Sequence, residues 1–269
     1  MSSDDRAWTL ILNWLSKNKF SENAKVLLPW PVFNESLQNI LKKKKKNNCT
    51  LLHSFKPQVE QFKIKGFHCQ QNWPVENFDY VLLVPTRQKL ESLSHVAKAI
   101  QLLKPDGTFV FACSNDLGSS SYVSYLKEIF PELEVQSKNK SKLCTFQRCA
   151  LKSEEPLLAW IEKANPQMIE NSSYLGVPGI FGWNKIDQGS RMLLDSLPGL
   201  SGEGADLGSG YGFLSGEVLN RFSEITHLDL FEAEGRAIEC ARLNLKKYNS
   251  KVQLHWIDLA QDTLKSFER

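Results

Sequence analysis

The sequence predicts an α/β protein of two domains, each built on a largely parallel sheet. Three observations predict it. Short apolar or β-branched runs alternate with stretches long enough for helices; the pattern breaks between Leu151 and Pro178 and then resumes; and 269 residues, 42% of them hydrophobic, suffice for two ordinary cores.

Trp8, Ile11, Leu12 and Leu15 recur at helical spacing, so residues 6–15 are expected to open the chain as an amphipathic helix. The runs at 24–28, 50–55, 80–84 and 108–112 read as strands, with a helix over 35–41 between the first two. A helix over 88–103 is expected to stop at Lys104-Pro105-Asp106-Gly107, where proline and glycine turn the chain into the next strand. Leu157, Leu158, Trp160 and Ile161 mark a helical segment, followed by the loop-like Asn171-Ser172-Ser173 and Gly176-Val177-Pro178-Gly179. Residues 1–150 are therefore read as the first domain, 151–177 as a linker and 178–269 as the second domain. In the second, helices are expected near 189–197 and over 213–222 and 235–248, with strands at 225–231 and 252–257. A first strand at Gly202-Glu203-Gly204-Ala205 has poor β propensity and must rely on its neighbours.

Composition narrows the function. The net charge of +3 hides an asymmetry, since residues 1–150 carry 21 Lys and Arg against 13 Asp and Glu, and 151–269 carry 12 against 17. A basic first half suits a polyanionic partner. Asn13 breaks the apolar run at 8–12, which fits neither a signal peptide nor a membrane span, and a cytoplasmic, monomeric protein is expected. The six cysteines contain no C-x-x-C pair and are read as free thiols; Cys49 with His68-Cys69 matches no zinc-ligand spacing, so no metal is expected. The five histidines lack a recognisable Ser or Cys partner, which leaves a hydrolase triad without support. The five lysines Lys42 to Lys46 read first as a solvated helix end and second as a contact for RNA phosphates. Trp8, Trp14, Trp30, Trp73 and Trp160 read mainly as packing, with base stacking as the alternative.

The chemistry concentrates in Asp206-Leu207-Gly208-Ser209-Gly210-Tyr211-Gly212. Glycines let backbone approach a ligand closely, and the helix that follows offers free N–H groups to an anion. Phe213 stands where a dinucleotide fingerprint needs its third glycine, and no Gly-Lys-Ser/Thr closes the turn as in a P-loop. Asp206, at the strand end, can accept from an amino group. Glu232 ends the next strand and can accept both hydroxyls of a ribose, with Asp229 as its rival. Asp258 ends the third strand after Trp256 and Ile257, placed to accept from an adenine amino group between apolar neighbours.

This order resembles the class I S-adenosylmethionine-dependent methyltransferases. Gly176-Val177-Pro178-Gly179-Ile180-Phe181, followed by Asp187-Gln188-Gly189-Ser190-Arg191-Met192-Leu193-Leu194, is similar to the bacterial ribosomal RNA guanine-N2 methyltransferases, the small-subunit (16S) enzymes in particular. The resemblance implies two methyltransferase-like (Rossmann-like) domains, the first degenerate, serving as an RNA-binding scaffold. Pro29-Trp30-Pro31 stands where its cofactor turn would be, and Val84-Pro85-Thr86-Arg87 where the family has Asn-Pro-Pro. It further implies S-adenosylmethionine as cofactor. Asp206, Gly208, Ser209, Gly210 and Gly212 would surround its methionine part, Glu232 would hold the ribose and Asp258 the adenine. No catalytic residue is assigned. The family's Asn-Pro-Pro-Phe would follow a segment like 262–269, so the second domain is expected to lack its C-terminal strands, leaving the strand beside Asp206 as a raw edge and the chain with little turnover. The expected activity is guanine-N2 methylation of small-subunit ribosomal RNA. The alternatives are a non-catalytic RNA-binding or assembly protein with a relic cofactor site, and a protein glutamine methyltransferase.

Overall fold

The computed structural model describes residues 3–18, 20–33, 35–43 and 48–261. The chain divides into two compact units, Met1–His53 with Gln58–Lys163 and Ser54–Pro57 with Ala164–Arg269. Two features of the sequence reading, Lys44 to Lys46 and Asp262 to Arg269, lie outside the described residues. Among the described residues no helix is long and apolar enough to cross a membrane.

The first unit alternates α1 (Ser3–Lys17), β1 (Val26–Pro29), α2 (Glu35–Lys43), β2 (Cys49–Leu52), α3 (Lys56–Ile64), β3 (His68–Gln70), β4 (Phe78–Leu83), α4 (Lys89–Gln101), β5 (Leu103–Ser114), α5 (Ser119–Ile129), β6 (Glu134–Lys138), β7 (Ser141–Gln147) and α6 (Glu155–Glu162). Its seven strands lie in the order β3-β2-β1-β4-β5-β7-β6. The first five run parallel, and β7 pairs antiparallel with both β5 and β6. β1 and β2 are buried at every position, as parallel strands covered on both faces must be. β3 and β6 went unread because His68-Cys69-Gln70 and Glu134–Lys138 carry almost no apolar pattern; neighbours, not propensity, make them strands. β5 corrects the expected stop at residues 104–107. It starts at Leu103 and carries the Pro-Asp-Gly stretch inside it, beside a register irregularity between Phe78 and Tyr80. A Cβ on Gly107 would sit 3.0 Å from the Phe78 carbonyl, so glycine is what admits this close pairing.

Where β1 ends, Trp30 takes a left-handed backbone (φ 48°). Its ring stacks on His95 with centroids 3.7 Å apart, and Trp73 lies 5.7 Å away. The unit fills the mouth of its own sheet with aromatic side chains. Trp8 and Trp160 are buried too, and Trp14 packs against Phe20 and Tyr80.

The second unit holds β8 (Gln167–Met168), β9 (Leu175–Gly176), α7 (Gln188–Ser196), β10 (Gly202–Leu207), α8 (Phe213–Arg221), β11 (Ile225–Glu232), α9 (Gly235–Asn244) and β12 (Val252–Trp256). The expected 151–177 connector is folded. Part of it is α6, and the rest forms the antiparallel β8–β9 pair, with Ile169 and Tyr174 buried in the second core beside Phe213, Val218, Leu228 and Leu230. β10, β11 and β12 form a parallel three-stranded sheet in that order. β10 pairs with β11 from Gly202 to Leu207, which is how a glycine-rich run becomes a strand. Among the described residues it is paired on one side only, and Glu203, Gly204, Ala205 and Leu207 are exposed.

Candidate functional site

Three parallel strands of the second unit end together, and a carboxylate stands at or just past each end. Asp206 lies near the end of β10, Glu232 closes β11, and Asp258 follows β12, where Ile257 N–H donates to the Glu232 carbonyl at 3.0 Å. Ligands of open α/β sheets bind at this carboxyl edge.

The turn after β10 is shaped by its glycines. Gly208, Gly210 and Gly212 have φ of 80°, 55° and 82°, the left-handed region that other residues enter only at a cost. A Cβ on Gly208 or Gly210 would meet nothing within 4 Å, so these two face open space; a Cβ on Gly212 would press on Leu245 at 3.0 Å and Ala241 at 3.3 Å. The turn hangs on Phe231, whose carbonyl accepts from Gly208 N–H at 2.8 Å and Ser209 N–H at 3.1 Å. Ser209 is buried, and among the described residues its Oγ has no hydrogen-bond partner.

Glu232 and the turn meet directly. Its Oε2 accepts from Gly210 N–H at 2.9 Å and its Oε1 from Glu234 N–H at 2.7 Å. A carboxylate has about four lone-pair sites, so both oxygens keep room for a ligand hydroxyl. The rival, Asp229, is already engaged, with its Oδ1 2.6 Å from His255 Nε2 and 3.5 Å from His227 Nε2. Asp258 is buried and accepts from Ala260 N–H at 3.0 Å. Trp256, expected beside an adenine, is tethered: its indole N–H points to the carbonyls of Ala233 at 2.8 Å and Ser54 at 3.1 Å, and Lys56 Nζ lies 4.5 Å from its ring centre.

Asp206 is half-buried, and Ser215 Oγ donates to its Oδ2 at 2.5 Å. Burial pushes the Asp206 carboxyl above its usual range and the nearby Glu232 charge adds to this, while Ser215 pulls it back. Glu234 shows the opposite balance. Burial would raise it, but the Arg236 charge and the hydrogen bonds from Arg236 and Ser54 leave it below the usual carboxylate range.

Two residues that matter here were not singled out from sequence. One is Ser215, third residue of α8. The other is Asn244, read only as a helix position. Its side chain accepts from Leu175 N–H at 2.7 Å and donates to the carbonyls of Leu175 at 2.9 Å and Tyr211 at 2.8 Å, tying α9 to β9 and to the glycine turn. The turn's own spacing was the available signal for Ser215, since a hydroxyl at the third position of the helix faces the strand end; nothing local marks Asn244. The Asp-Gln-Gly-Ser segment is a helix cap. Asp187 accepts from Ser190 N–H at 2.9 Å, and a Cβ on Gly189 would stand 2.9 Å from Asp187 Oδ2.

A cavity of about 580 Å³ opens along β10, shared by Asp206, Ser209 and Ser215 on its polar side and by Phe181, Leu193, Leu197 and Val218 on its apolar side. Glu232 and Asp258 are not among the residues lining it.

Comparison with known proteins follows the same lines. Residues 172–269 match the methyltransferase small domain. Ribosomal RNA small subunit methyltransferase C of Aliivibrio fischeri is 24% identical over 196 residues, covering 71% of this chain and 57% of the relative. The protein of that name from Psychromonas ingrahamii is 27% identical over 188 residues, covering 66% and 52%. The chain thus spans a little over half the length of these relatives. Among solved structures, a T. thermophilus 16S rRNA N2 methyltransferase in complex with AdoMet and guanosine superposes with a TM-score of 0.71 at 16% identity, over 93% of this chain and 69% of that one. That likeness speaks for the fold. Residues 172–269 thus match a methyltransferase domain, and the chain is similar to bacterial small-subunit ribosomal RNA methyltransferases.

Proposed function

We propose that the second unit binds S-adenosylmethionine and that the protein methylates a guanine N2 in small-subunit ribosomal RNA, in the cytoplasm. The observation that carries this is the meeting of Glu232 with the glycine turn: a carboxylate at the second strand end hydrogen-bonded to Gly210, beside two glycines that face open space. The buried Ser209 hydroxyl, which has no partner among the described residues, supports a polar ligand here.

In this reading Asp206 receives the amino group of the methionine part, Gly208, Ser209, Gly210 and Gly212 surround it, Glu232 takes the ribose hydroxyls, and Asp258 takes the adenine amine. S-adenosylmethionine supplies an electrophilic methyl group. What these residues contribute is placement, since methyl transfer to an exocyclic amine depends on alignment more than on a strong base. The basic first half of the chain supports an RNA partner, and a guanine must leave its stack to be reached.

Calorimetry with S-adenosylmethionine tests the cofactor. Binding by the unmodified chain, weakened at least tenfold by Glu232→Gln, is the expected result, and no binding overturns the proposal. Tritiated methyl incorporation into small ribosomal subunits against release factors tests the substrate, and label in the release factors would favour a glutamine methyltransferase instead.

A further inference from the structure

We propose that Ser215 is a positioning residue for the cofactor's amino group, acting through Asp206; this rests on the cofactor reading above. Ser215 is 1% exposed and sits third in α8, and its hydroxyl donates to Asp206 Oδ2 at 2.5 Å. A buried hydroxyl bonded to one carboxylate oxygen does two things. It fixes the carboxylate plane, so that Oδ1 remains for a ligand, and it favours the ionised form, because a donor stabilises the charge it points at. Both are needed at this position.

Asp206 is a poor place for a charge. Burial and the Glu232 carboxylate both push it towards the neutral acid, and a neutral acid cannot pair with the ammonium of an amino acid. Ser215 opposes both through its hydroxyl, and its backbone N–H adds to the effect. Among the described residues, no other side chain is hydrogen-bonded to Asp206. The α8 geometry places this hydroxyl. The left-handed Gly212 caps the helix, and its buried third residue faces back to the strand end, where its hydroxyl meets Asp206.

The mechanism separates two parts of the ligand. Ser215 governs the amino-acid end and is indifferent to the nucleoside end. Ser215→Ala removes the hydroxyl without adding volume, and Ser215→Cys keeps the size with a weaker donor. Two readouts follow: the carboxyl titration of Asp206 by carbon-13 NMR in the free protein, and calorimetry against pH with S-adenosylmethionine and with 5′-methylthioadenosine, which keeps the nucleoside and thioether but has no amino group. In Ser215→Ala, Asp206 is expected to titrate at higher pH than in the unmodified chain. On the acid limb S-adenosylmethionine should bind about tenfold more weakly, the scale of a hydrogen bond to a charged group. Methylthioadenosine binding should stay within about twofold. Ser215→Cys should fall between. An unchanged Asp206 titration overturns the proposal, and so does a parallel loss of both ligands, which is what a merely structural role would give. If the unmodified chain binds neither ligand, the cofactor reading falls, and the proposal with it. If it binds both and the variants titrate alike, only the Ser215 role falls.

Discussion

Alanine at Gly212 is expected to destabilise the second unit by about 2–5 kcal/mol, while alanine at Gly208 or Gly210 costs about 1–2. All three glycines have positive φ, so each substitution carries the penalty of a left-handed backbone, about 1–2 kcal/mol. They differ in what a Cβ would meet. At Gly208 and Gly210 nothing lies within 4 Å; at Gly212 the new carbon would sit 3.0 Å from Leu245 Cδ1 and 3.3 Å from Ala241 Cβ. Leu245 is 2% exposed and Ala241 fully buried, so neither can yield towards solvent, and overpacking adds about 1–3 kcal/mol. The measurement is native-state hydrogen exchange in urea at the Leu245 amide, which donates to the Ala241 carbonyl at 2.9 Å and so reports on the second unit alone. With a slope of about 2 kcal/mol per molar urea, a difference of about 2 kcal/mol separates Gly212→Ala from Gly208→Ala by about 1 M. Cofactor binding should rank the other way, since the two open glycines are the ones a ligand approaches. Equal loss of stability at Gly208 and Gly212 would refute the division of the turn into a packed end and an open end.

Asn244→Ala should lower stability by about 1–3 kcal/mol, because it strips Leu175 and Tyr211 of side-chain partners at partly buried backbone groups; thermal unfolding followed by hydrogen exchange in β9 checks it. Asp229→Asn should leave S-adenosylmethionine affinity within about threefold of the unmodified chain while moving the His255 ring resonances in the proton NMR spectrum, since Asp229 is committed to that ring. Asp206→Asn should raise the melting temperature at neutral pH and at the same time weaken cofactor binding. The Asp206 carboxyl titrates above its unfolded value, so the stability it contributes is present below the unfolded pKa and is lost as pH rises through the folded pKa. Glu234 is depressed, so its contribution is present above the unfolded pKa and lost as pH falls through the folded one. Glu234→Gln should therefore flatten the acid side of the stability profile.

The alternation of apolar runs made the α/β class legible, because buried parallel strands such as β1, β2 and β4 are near-continuous apolar segments. β3, β6 and β10 were hidden or weak in sequence for one reason: each is made a strand by pairing, and pairing is non-local. The positions of the three candidate carboxylates were legible. Asp206, Glu232 and Asp258 fall at strand ends that periodicity can locate, and the glycines between them announce a turn. The sequence reading preferred Glu232 to Asp229, but the physical difference between them was not visible in it. Three residues apart on one strand, they differ only in what lies across from them: β12 presents His255 to Asp229, while the turn presents Gly210 to Glu232. The bonds of Ser215 and Asn244 are hidden likewise, since a hydroxyl and an amide have partners only once the chain is folded.

The two units then pose a single question about what a strand end can hold. Both place a turn after the strand that opens their sheet, and both turns enter the left-handed region, at Trp30 in one and at the glycines from 208 to 212 in the other. The backbone is similar in this respect; the side chains are opposite. An indole at Trp30 projects into the mouth of the sheet and is met by His95 and Trp73, so the first unit supplies from its own chain the aromatic surface that would otherwise stack against a ligand. At Gly208 and Gly210 the corresponding volume is left open, and among the described residues the buried Ser209 hydroxyl beside it has no hydrogen-bond partner. A filled apolar mouth adds to a core, whereas an open polar one costs stability that only a ligand returns. On that physical ground the proposed cofactor site falls in the second unit, and the first is left with its fold and its positive charge.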